Sequence, residues 1–169
     1  MDLPPQTVWR IVRRGVLAIS ALLGAYMVVR FGFETIPPGY SLLEPRISPG
    51  CTALVDRRYR WSRPLAKDDL VSFRLQTKAG AVKRYGRVTG VPGSRLEADE
   101  EGLRVDGALT GYPAPAERSL PAEVPGEHVL VAFNAAERAR SDDRPVVETA
   151  LVAEDAVLAR LLLAVSGRE

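Results

Sequence analysis

Between Gly15 and Val29 the chain reads GVLAISALLGAYMVV and carries no charge. A helix satisfies its own backbone, so an uncharged run of this kind can leave water for lipid. It is short against the about 20 residues that usually cross a bilayer. Arg30 interrupts the run and Phe31-Gly32-Phe33 continues it. If Arg30 snorkels to the headgroups, the span extends over Val12 to Phe33. Arg10, Arg13 and Arg14 precede it, which favours a cytoplasmic N-terminus and an exported position for everything after Pro37. A cleaved signal peptide would place a small-x-small site after the run, where Arg30, Phe31 and Phe33 stand instead. A buried core helix is the remaining alternative. The reading is a single signal-anchor in residues 1–35.

At Ile36 the sequence turns to IPPGY. Two consecutive prolines remove backbone donors and restrict the residue before them, so no helix continues there. Residues 36–169 form a second unit. Thirteen prolines and fourteen glycines in 169 residues divide it into short pieces, which argues for strands and turns. Cys51–Asp56 reads as a strand after the turn Ser48-Pro49-Gly50. Asp69–Leu75 alternates apolar and polar residues, and Ala81–Val91 follows before the turn Pro92-Gly93-Ser94. Ser94–Asp99 and Gly102–Gly107 read as a hairpin, and Gly126–Phe133 as a further strand. Asp155–Val165 fits a short helix or a terminal strand. The fold class is therefore mostly β, an antiparallel domain from about Tyr40 to Leu161 on one N-terminal membrane helix.

Several functions are excluded by composition. The net charge is +2 with both signs interspersed, so no basic tract points to nucleic acid. One cysteine, Cys51, rules out an internal disulfide framework, and one histidine, His128, rules out a histidine-rich metal site. No metal or cofactor is expected.

The order of the turns carries more information than any one of them. After the membrane run come EPRISPGCTALVD, PLAKDDLVSF, GRVTGVPGSRL, EEGLRVDG, VPGEHVLVAFN and RSDDRPV. This succession resembles the type I signal peptidases, serine–lysine proteases that remove signal peptides from exported proteins. That family shows S-M-x-P-T-[IL]-x-x-G-D, then K-G-D-[IV]-V-x-F, then K-R-[VA]-x-G-x-P-G-D and d-G-x-[LV]-x-[VI]-N-G. Later come G-D-N and D-S-R. The resemblance runs from the membrane segment to about Ala159. It implies a bent antiparallel β domain on a membrane stem, with an apolar surface next to the lipid. It also implies a serine nucleophile and a lysine kept neutral by apolar surroundings, which takes the serine proton.

The two decisive positions depart from that pattern. Pro45, Ile47 and Gly50 fit the first motif without a gap, which puts Leu42 where the family has its serine. Ser41 is one residue early, and a one-residue slip turns a side chain to the opposite face unless a bulge restores its aim. Ser48, in the turn before Gly50, is a weaker candidate. In the third motif Arg87 and Val88 fit, which puts Gly86 where the family has its lysine. Lys83 lies three residues earlier, an odd number, so in a regular strand it points to the other face from position 86. Lys67 and Lys78 fall in turns. The expectation is that Leu42 and Gly86 face each other across the family's catalytic site and that neither Ser41 nor Lys83 fills it.

Other boxes are altered too. G-D-N reads Ala132-Phe133-Asn134, and D-S-R reads Asp142-Asp143-Arg144, where Asp142 and Arg144 are expected to pair near the segment that carries Leu42. Cys51 as a replacement nucleophile lacks a base nearby in sequence and reads as a packed apolar residue. Two functions remain. One is a catalytically degenerate signal-peptidase-like protein that binds exported polypeptide or a membrane protein partner. The other is an active, divergent signal peptidase that uses Ser41 and Lys83.

Overall fold

The computed structural model describes residues 5–99, 101–114, 120–135 and 146–166. Helix α1 (Pro5–Arg30) stands away from the rest of the chain. Most of its described apolar side chains are open, with Leu22 71% and Val28 75% exposed, while Tyr26 near its end stacks on Trp61. Such a surface needs lipid, not water. Residues Val12–Arg30 are long and apolar enough to cross a membrane.

The helix ends sooner than the sequence suggests. Phe31–Thr35 is strand β1, paired antiparallel with β2 (Thr52–Asp56) in the register Phe31 to Asp56 and Thr35 to Thr52. The expected helical span to Phe33 therefore moves back to Arg30. Aromatic residues around a glycine suit a pleated edge better than a helix, and the ladder with β2 satisfies backbone that lipid could not. Arg30 does not snorkel freely. Its guanidinium donates to the Tyr26 hydroxyl at 2.7 Å and to Asp56 Oδ2 at 3.1 Å.

The domain is mostly β, as its alternation suggests. Strands β3 (Leu70–Thr77), β4 (Gly80–Gly90), β8 (His128–Asn134), β9 (Val147–Ala153) and β10 (Val157–Ser166) complete a seven-stranded antiparallel sheet in the order β1-β2-β10-β3-β4-β8-β9. β5 (Leu96–Asp99), β6 (Gly102–Val105) and the two-residue β7 (Ala108–Leu109) form a second, small sheet. The hairpin β5–β6 is the one read from Ser94–Asp99 and Gly102–Gly107. The chain end, open between helix and strand in the sequence, is strand β10. There Ala159 and Leu161 join one core cluster and Val157 another.

The sheet is bent. In sheet order β4 lies four strand spacings from β1, about 19 Å in a flat sheet. Yet Lys83 Nζ of β4 lies 2.8 Å from Glu34 Oε2 of β1. Curling brings these strands together over a core of Ile36, Tyr40, Leu43, Ile47, Val55 and Tyr85. A second core lies on the other face, with Val71, Phe73, Val88, Val131 and Phe133. Strand β4 thus sends Tyr85 to one core and Val88 to the other.

Asp56 joins the helix to the sheet. Its carboxylate is 1% exposed and meets Arg30 at 3.1 Å and Arg160 at 3.6 Å. It also accepts from the Arg58 amide at 2.9 Å. Removing one partner of a buried ionic cluster leaves the others unpaired, which costs roughly 3–5 kcal/mol. Asp56→Ala is therefore expected to lower the unfolding free energy of the detergent-solubilised chain by an amount in that range. A change below about 1 kcal/mol would be that of a surface pair and would contradict this role.

Candidate functional site

The segment that carries Ser41 and Leu42 is a single 3-10 turn, Ser41–Leu43, laid over the concave side of β4 and β8. Leu43 is fully buried and anchors it in the first core. Two polar side chains fix its backbone. Asn134, the last residue of β8, accepts from the Leu42 amide through Oδ1 at 3.2 Å. Arg87 of β4 donates to the Leu42 carbonyl at 3.0 and 3.3 Å and to the Glu44 carbonyl at 2.9 Å. An arginine fork suits two neighbouring carbonyls because its donors are held in one plane. The Glu44–Pro45 peptide that follows is cis.

Alternation decides which residues of β4 meet this turn. Arg87 bonds it directly. Tyr85 packs edge-to-face on Tyr40, with ring centroids 5.2 Å apart. Lys83 continues the same face, its ammonium 5.4 Å from the Tyr85 ring and paired with Glu34 at 2.8 Å. Gly86 belongs to the opposite face. A β-carbon there would lie 2.5 Å from the Ala132 carbonyl oxygen and 2.6 Å from Val131 Cγ1. Leu42 and Gly86 do not face each other, contrary to the expectation from the motifs. The strand is regular in its pairing with β3 from Leu70–Arg87 to Thr77–Gly80, so nothing rotates position 86 toward the turn.

Ser41 is exposed, and its Oγ accepts from Asn134 Nδ2 at 3.4 Å. Lys83 shares the face of the turn but is engaged by Glu34. Cys51 is buried in the first core. Asp142 and Arg144, expected to pair beside the turn, lie outside the described residues.

This arrangement stands in a chain whose residues 10–159 match the family model of signal peptidase, peptidase S26. The chain belongs to that family. No curated protein matches the sequence. As a member of the signal peptidase family it keeps the arginine of the third motif, Arg87, and that arginine holds the backbone of the segment where the family's first motif falls.

Two residues of the site escaped the sequence reading. Asn134 was legible as the end of an altered box, but its two bonds to the turn were not. Glu34 gave no signal, because it lies in a stretch that reads as the end of the membrane run. It helps to hold the Tyr85 hydroxyl above the usual tyrosine range. Tyr85 is pushed up to about 12, first by burial and then by the Glu34 carboxylate.

Two predictions test this geometry. Gly86→Ala needs β4 or β8 to move, since the obstacle at 2.5 Å is backbone; overpacking of this kind costs roughly 1–3 kcal/mol. Gly32→Ala meets the Arg57 guanidinium first, at 2.6 Å, and that side chain can swing aside. Gly86→Ala should therefore lower the melting midpoint more than Gly32→Ala; equal effects would refute the assigned face. The second concerns pH. An unfolded tyrosine ionises near pH 10 and folded Tyr85 near 12, so proton loss favours the unfolded chain in that window. Stability should be intact below about pH 10 and fall as pH rises toward 12. Tyr85→Phe should flatten that fall, and an unchanged slope would contradict it.

Proposed function

We propose that this member of the signal peptidase family is a membrane-anchored pseudoenzyme that binds exported or membrane-associated polypeptide without cleaving it. The observation that carries the reading is the Lys83–Glu34 pair at 2.8 Å. Serine–lysine proteolysis needs a hydroxyl that loses its proton as it attacks and an amine free to take that proton. Lys83 is ion-paired with a carboxylate instead. Ser41 Oγ is turned to the Asn134 amide. Leu42, at the motif position, is aliphatic, and Gly86 has no room for a side chain.

A site without a nucleophile still binds extended chain, because strand addition to a sheet edge uses main-chain hydrogen bonds. Strands β1 and β9 end the seven-stranded order and offer such edges. The anchor and the three arginines ahead of the run support a single-pass protein of a bacterial-type inner membrane, with the β domain on the exported side. Protease protection in sealed vesicles checks the orientation: a domain shielded on the cytoplasmic side would reverse it.

The chemical test uses the full chain in a membrane, supplied with a preprotein that has a small-x-small cleavage site. Crosslinking to the preprotein without cleavage is the expected result. Cleavage that disappears in Ser41→Ala and again in Lys83→Ala would overturn the reading and establish a signal peptidase built on those two residues.

A further inference from the structure

The loop from β2 to β3 holds four arginines within seven residues, Arg57, Arg58, Arg60 and Arg63, with Trp61 among them. Arg63 is engaged by Asp69 at 2.6 Å. Among the described residues Arg57, Arg58 and Arg60 form no salt bridge. They surround a cavity of about 230 Å³ that Trp61 and Asp155 also line.

The cavity has a fixed height relative to the membrane helix. Tyr26, in the last turns of α1, stacks on Trp61 with centroids 6.5 Å apart and planes 20° off parallel. Trp61 is 62% exposed nonetheless, and its ring also carries the Arg58 guanidinium, 5.1 Å away. The Arg57 guanidinium rests on the bare backbone of Gly32, the second residue after the helix. Tyrosine and tryptophan rings gather where a membrane protein crosses the headgroup layer. The arginines are held at that same level.

Charge selects the occupant. Arg30 and Arg160 share Asp56, and Arg60 lies near Glu154 and Asp155. Five guanidiniums thus meet three carboxylates, a positive excess beside a lipid surface. Guanidinium groups bind phosphate oxygens in pairs of parallel hydrogen bonds. Asp155 offers an acceptor to a neighbouring hydroxyl, a group that phosphatidylglycerol has and phosphatidylcholine lacks. We propose that this cavity binds the headgroup of phosphatidylglycerol, with Arg57 and Arg58 on the phosphodiester and Asp155 accepting from the glycerol hydroxyls. The bound lipid adds a second tether to the domain, beside the helix.

The test uses the full chain in neutral detergent micelles in the Trp9→Phe background, where Trp61 is the one tryptophan left. Short-chain phosphatidylglycerol should shift its fluorescence saturably. Phosphatidylcholine should not. Arg57→Gln with Arg58→Gln should weaken the phosphatidylglycerol response at least about tenfold, the loss of one charge-assisted hydrogen bond or more. Arg74→Gln with Lys78→Gln removes the same charge on the β3–β4 hairpin and should leave the response intact, which guards against a general electrostatic effect. An equal response to both lipids, or equal loss in the two double variants, would overturn the proposal. So would retention of full affinity in Arg57→Lys with Arg58→Lys, because diffuse charge would then suffice. Circular dichroism of each variant separates lost binding from lost fold.

Discussion

The carboxylate of Asp56 holds the architecture together. In the sheet it stands level with Phe31 on one side and Arg160 on the other, so three strands meet at this charge. A carboxylate 1% exposed needs charged partners, since taking a lone charge out of water costs several kcal/mol. Arg30 and Arg160 are therefore placed by it as much as they stabilise it. Arg30 closes the membrane helix, and the strand that follows begins in register with β2. Three positions further on β1, Glu34 arrives beside Lys83. Two more bring Ile36 into the core, where its carbonyl accepts from Gly50 at 3.0 Å. The contents of the functional site follow from how the helix is joined to the sheet.

That site is held rigidly, though by groups that do no proton chemistry. Arg87 and Asn134 grip the Leu42 peptide from both sides, one on its carbonyl and one on its amide. In a serine–lysine protease such positioning would aim a hydroxyl. Here the side chain at the gripped position is leucine. On the proposed reading the scaffold of the reaction persists and supports a turn of defined shape next to open strand edges.

Much of this was legible in the sequence, for a physical reason. β3, β4 and β8 are bounded by turn residues such as Asp68, Pro92-Gly93 and Pro125-Gly126, so their bounds came out within a residue or two. β1 was hidden because Phe31-Gly32-Phe33 is as apolar as the helix before it, and no periodicity marks the change. β10 was ambiguous because Val157–Val165 is apolar on both faces. Within the site, the motif register pointed to the segment at Leu42 and to Arg87, and the structure brings these two together. The register could not tell that Gly86 faces the second core, because the spacing of a motif carries no direction. A single alternation rule applied to Tyr85, Gly86 and Arg87 predicts opposite faces, but which face meets the turn depends on how the sheet curls.

The same curl limits how the site could be active. Positions 83, 85 and 87 share the face of the turn, and Arg87 occupies the place nearest Leu42. Successive residues on one face of a strand lie about 6.8 Å apart. Lys83 therefore starts two such steps from Arg87, with the Tyr85 ring beside its ammonium. Tyr85, held at about 12, is no base near neutral pH. A lysine at position 86 would enter the opposite core against Val131 and the Ala132 carbonyl. Restoring a family-like dyad thus needs more than Leu42→Ser with Gly86→Lys: β4 would have to gain a bulge that turns position 86 toward the turn. Releasing Lys83 from Glu34 is the smaller change, yet it still leaves the ammonium on the far side of Tyr85. On the proposed reading, the face assignment of β4 therefore limits a serine–lysine site here more firmly than the identity of the residues at positions 42 and 86.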